Sequence, residues 1–101
     1  MTNPKPPSWQ DALAKNCPDL TKNINGARDT IMADGALDRK TKTLMMMLCD
    51  SLLNHADGVA NLARGARTLG ASEAEIAETL GMAFLMGGLP AIVTGANAFR
   101  E

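Results

Sequence analysis

His55 is the chain's only histidine, set in the stretch Asn54-His55-Ala56-Asp57-Gly58 between two apolar runs. An imidazole titrates near neutrality, so there it could act as a general base or as one ligand of a site shared between subunits. The structural alternative is a ring that closes a helix end or hydrogen-bonds at an interface, since no nucleophile or second base stands at a matching spacing. Asp57 could carry a proton, or cap the helix that follows. The thiols offer redox chemistry only if one is activated as a thiolate and another group resolves it. Cys49 lies in the apolar run Leu44-Met45-Met46-Met47-Leu48-Cys49, where burial would suppress its reactivity. On one continuous helix it would sit about 240° away from His55. Cys17 precedes Pro18 at a helix start and has no resolving cysteine beside it. One histidine and two cysteines fall short of the ligand set of a zinc site, so no metal or cofactor is expected. Met45, Met46, Met47, Met82 and Met86 could line a soft-metal or pliable ligand pocket, but methionines also fill gaps where helices meet. Lys40, Arg64 and Arg67 could attract an anion or form a solvated face.

Helices must position these residues. Trp9 and Leu13 suggest a short first helix that ends before Cys17-Pro18, because the residue before proline avoids helical geometry. From Pro18, the residues Leu20, Ile24, Ala27, Ile31 and Met32 recur at helical spacing up to Asp34-Gly35. Asp38 can cap a third, central helix whose run Leu44 to Cys49 is apolar on every side. Val59, Leu62, Ala63, Ala66 and Leu69 mark a fourth, stopped at Gly70. Ser72-Glu73-Ala74-Glu75 is a capping box for a fifth, with Ile76, Leu80, Ala83, Phe84 and Met86 facing inward, and Pro90 can open a sixth. Thr79 to Phe99 carries no charge, but Gly87-Gly88-Leu89-Pro90 cuts it, so it reads as a buried helical hairpin and not a membrane span. No segment alternates as a strand. The expectation is an all-α fold of about six helices.

The chain has 101 residues, a net charge of -1, one Trp, two Phe and no Tyr. So small a helical core is expected to be completed by self-association into a homo-oligomer. Near-neutral charge gives no field for phosphates, so nucleic acid is not an expected partner. The N-terminus lacks the apolar core of a signal peptide and reads as a flexible lead-in, which points to the cytoplasm.

Three blocks stand in order: Gly35-Ala36-Leu37-Asp38-Arg39-Lys40-Thr41-Lys42, Leu69-Gly70-Ala71-Ser72-Glu73-Ala74-Glu75-Ile76-Ala77-Glu78, and Met86-Gly87-Gly88-Leu89-Pro90-Ala91. Together they resemble the carboxymuconolactone decarboxylase and alkylhydroperoxidase D family. The resemblance divides the chain into residues 1–16, a lead-in with a short first helix, and residues 17–101, a helical domain of that kind. It implies a helical subunit that assembles into trimers or hexamers. Peroxidase members of that family use a C-x-x-C-x-x-x-H motif with an upstream glutamate, the two thiols cycling through a disulfide while glutamate and histidine relay protons. Counting back from Leu69-Gly70-Ala71-Ser72, the thiol positions fall on His55 and Gly58, the histidine on Leu62 and the glutamate on Thr43. All four are replaced.

Three readings follow. The first is an oligomeric protein of this family without the thiol peroxidase site, acting as an interaction or small-ligand-binding module. The second is an enzyme that uses His55 on a small organic acid, by decarboxylation or proton transfer. The third is a residual peroxidase working through Cys17 or Cys49.

Overall fold

A computed structural model describes residues 8–100, and every regular element among them is helical. The expected lead-in, up to residue 7, lies outside the described residues. The chain divides into two compact units, Met1–Ala33 and Asp34–Glu101. In the first, Ser8 caps α1 (Trp9–Asn16) by accepting the Asp11 N–H at 3.1 Å. Pro18 ends that helix and opens α2 (Pro18–Met32), where its missing N–H is no loss. The helices fall where the periodicity puts them, but Leu20, Ile24 and Ile31 are exposed and only Met32 of α2 is buried. Two short helices offer each other one narrow seam, too little to cover a stripe that wide.

In the second unit, Asp38 caps α3 (Arg39–Leu52) through the Thr41 N–H at 2.7 Å. The capping box at Ser72 starts α5 (Glu73–Gly87), its hydroxyl taking the Glu75 N–H while Glu75 takes the Ser72 N–H. The two helices run side by side in the same direction: Lys40 pairs with Glu75 near their starts, and Leu52 lies against Gly87 near their ends. α4 (Ala56–Thr68) returns antiparallel along α3 on a row of alanines and Val59, and their small side chains let the backbones approach. Gly88 breaks α5 from α6 (Leu89–Gly95), and a single 3-10 turn, Ala96–Phe99, follows. The core gathers around Met47, Val59, Ala63, Ile76 and Leu80.

Three expectations about facing are corrected. Phe84 and Met86 do not point inward: they are 50% and 74% exposed, against 3% for Leu80. Leu69 is exposed as well. Cys49 is exposed and not buried, because α3 buries one side only, through Thr43, Met47 and Ser51. Met45 and Met82 are half-exposed on the outer sides of α3 and α5. Among the described residues no helix is long and apolar enough to cross a membrane.

Candidate functional site at the α3–α4 corner

Both ends of the α3–α4 hairpin close by the same backbone device, and only one carries polar chemistry. At the end of α4, Gly70 takes a φ of +97°, and the Ala71 N–H turns back to the Ala66 carbonyl at 2.9 Å. This closure brings the residue two past the helix cap against one in the last turn, where an apolar contact usually forms. Here the two residues are Ala66 and Ala71, both buried and both in the core cluster. At the end of α3, Asn54 takes the left-handed conformation, φ 62°, and the His55 N–H bonds back to the Asp50 carbonyl at 2.9 Å. The equivalent side-chain pair is Asp50 with His55, and its Nδ1 to Oδ1 distance is 3.0 Å. A polar pair therefore occupies a place where the fold ordinarily puts apolar contact.

The His55 side chain is 60% exposed and the Asp50 side chain 23%. An ionised aspartate only accepts, so this bond takes a proton on Nδ1, and in the neutral form of the ring the Nε2 lone pair is directed away from Asp50. That is the arrangement of an oriented base. His55 occupies the N-cap position of α4, but its side chain makes no capping bond there. Gly58, on the first turn of α4, lies directly beneath the Asp50 carboxylate, and a Cβ there would collide with Asp50 Oδ2.

The corner is held by two further contacts from the end of the chain. The Thr94 hydroxyl donates to Asn54 Oδ1 at 3.2 Å, and Arg100 pairs with Asp57 at 3.0 Å. Asp57 thus lies in the first turn of α4 but is bound to Arg100, and no hydrogen bond joins it to His55. The carboxylate that does meet His55 is Asp50, which the sequence reading passed over. Its signal was available: an asparagine just after an apolar helix marks a left-handed closure, which makes neighbours of the residues five apart around it.

The remaining candidates are spent elsewhere. Thr43 is buried and its hydroxyl donates to the Arg39 carbonyl at 2.8 Å, while Leu62 packs against the core. Thr43 and Asp50 stand about two turns apart on one face of α3. Cys17 and Cys49 are both free thiols, one in each compact unit. Lys40 is paired with Glu75 at 2.9 Å, Arg67 grips both oxygens of Glu73 at 2.8 Å, and Arg64 bonds Asn61. These pairings hold the Glu73 and Glu75 carboxyls below their usual range, through Arg67 and Lys40 respectively. No three histidine, cysteine or acidic residues among the described ones group as metal ligands.

The family model of the carboxymuconolactone decarboxylases matches residues 18–101, and the chain belongs to that family. It is similar to a carboxymuconolactone decarboxylase family protein from Legionella pneumophila, crystallised in its apo form. The two are 31% identical with a TM-score of 0.83, over 88% of this chain and 80% of that one. A proposed carboxymuconolactone decarboxylase from Burkholderia xenovorans LB400 is 24% identical with a TM-score of 0.85, over 92% of this chain and 74% of that one, a likeness of fold. No curated protein matches the chain.

Proposed function

We propose that this chain is a self-associating member of its family that does not run the thiol–disulfide peroxidase cycle and instead binds a small organic molecule. What supports this reading is the set of residues at the positions where the resemblance puts the second thiol and the proton relay. Thr43 and Leu62 are committed to packing, and Gly58 has no side chain at all. A peroxidatic thiolate must attack the peroxide, become a sulfenate and be resolved by a second thiol, with protons delivered to the leaving alkoxide. Neither Cys17 nor Cys49 has an acid or base within hydrogen-bonding distance among the described residues. Hydroperoxide reduction with a dithiol donor should therefore match that of a variant lacking both cysteines. Robust turnover that vanishes in Cys49→Ala or Cys17→Ala would overturn the reading.

The Asp50–His55 pair favours a second reading, in which His55 transfers a proton on a small organic acid. Asp50 would fix the tautomer, and Nε2 would take the proton from the substrate. Turnover of a panel of small keto- and hydroxy-acids is the test. Activity that survives loss of both thiols and is abolished in His55→Ala supports proton transfer, whereas activity indifferent to His55→Ala removes it.

A further inference from the structure

Gly58 has no side chain, yet it occupies a crowded position on the first turn of α4. A Cβ there would overlap Asp50 Oδ2, lie 3.0 Å from Asp50 Cγ and come within 3.5 Å of the His55 Cβ. The other glycine inside α4, Gly65, makes the contrast: a Cβ there would meet only the Thr43 methyl, at an ordinary 3.9 Å. What blocks position 58 is the end of a side chain and not backbone, so a methyl group there would push the carboxylate aside before it moved either helix. The carboxylate would have to leave the place from which it reaches Nδ1 at 3.0 Å.

We propose that Gly58 is the positioning residue of the Asp50–His55 pair: the space left by its missing side chain seats the Asp50 carboxylate, and the carboxylate in turn fixes His55 with its proton on Nδ1. The proposal rests on the proton-transfer reading for its functional meaning, but its geometry stands on the contacts alone. The pair and any side chain at position 58 are then mutually exclusive. By the count from Leu69-Gly70-Ala71-Ser72, the resemblance puts the second thiol of the peroxidase motif at this position, and a cysteine there would displace the carboxylate. The charged neighbours do not take over the role. Asp57 points to Arg100, and no other carboxylate bonds the ring.

The tautomer of His55 reads this directly. Nitrogen-15 shifts of the ring, measured where it is neutral, separate the Nδ1–H from the Nε2–H form, and an unconstrained histidine side chain prefers Nε2–H. The wild-type protein is expected to be predominantly Nδ1–H, Gly58→Ala and Asp50→Ala both predominantly Nε2–H, and the double variant no further changed. Gly65→Ala, which adds the same methyl group to the same helix, is expected to keep the wild-type spectrum. A wild-type Nδ1–H ring that persists in folded Gly58→Ala overturns the role of Gly58 alone. A wild-type ring already in the Nε2–H form overturns the pair itself, and with it the second reading. If Gly58→Ala does not fold, folding restored by adding Asp50→Ala supports the proposed collision. Failure of both variants to fold overturns it.

Discussion

At the scale of single residues, the corner joins groups that no helical spacing would bring together. Residues five apart on a continuous helix stand about 140° from each other, so Asp50 and His55 meet only because Asn54 turns the backbone between them. His55 could be singled out from its type alone, whereas Asp50 depended on recognising the closure. If His55 is the base, His55→Ala should lower kcat/KM by about 10²–10⁴-fold, measured on whichever acid the panel identifies. Asp50→Ala should reproduce part of that loss by freeing the tautomer. A separate expectation concerns the core. Leu80 is 3% exposed, so Leu80→Asp must bury a carboxylate at a cost of several kcal/mol or keep it neutral. Circular dichroism should show that variant unfolded, and a melt like that of the wild type would contradict the packing described above.

At the scale of elements, helix limits were readable because their signals are local. Asp38 and Ser72 each accept an N–H in the first turn, Pro18 and Pro90 stand where helices begin, and Gly70 stands where one ends. Facing was less readable. Leu80 and Phe84 differ by only about 40° around α5, yet one is buried and the other half-exposed. Periodicity finds the direction of a stripe, and its edge depends on what packs against it. Likewise the apolar run Leu44 to Cys49 of α3 must still turn one side outward, which is where Cys49 lies. The capping box makes a quantitative expectation. Ser72→Ala removes the acceptor for the Glu75 N–H and should cost about 1 kcal/mol, seen as a fall in Tm of roughly 4–8 °C. Glu75→Gln keeps an acceptor for the Ser72 N–H and loses only the exposed pairing with Lys40, so its fall should be smaller than that of Ser72→Ala.

At the scale of the whole molecule, two behaviours follow from the surface. Asp38 is held below its ordinary 3.8 by hydrogen bonds from Thr41, Glu73 below 4.5 by Arg67 and Glu75 below 4.5 by Lys40. Each carboxyl takes up its proton at higher pH in the unfolded chain than in the folded one. Their stabilisation is therefore present above those ordinary values and lost as pH falls through the lower folded ones. Melts at decreasing pH should show Tm dropping below about pH 4.5, and the drop should be shallower in Glu75→Gln. The second behaviour belongs to the proposed assembly. Phe84, Leu85, Met86, Leu89 and Val93 are all exposed on α5 and α6, a concentration of apolar surface that marks association in soluble proteins. Phe84→Asp, unlike Leu80→Asp, should fold and sediment as a smaller species than the wild type. A wild-type monomer at micromolar concentration would remove the oligomer from the proposal.

The closure at the end of α3 is made by main-chain atoms, the His55 N–H and the Asp50 carbonyl, while the side chains meet above it. Scaffold and chemistry are thus separable at this corner, as in an interchangeable socket. The turn would survive replacement of both side chains, since its bond needs neither the carboxylate nor the imidazole. The buried alanines that close α4 show the same turn fitted for packing alone. A lineage could therefore install or discard a polar pair here in a few substitutions without refolding the protein, and differences in activity among such chains would be sought at these corners before anywhere in the helices.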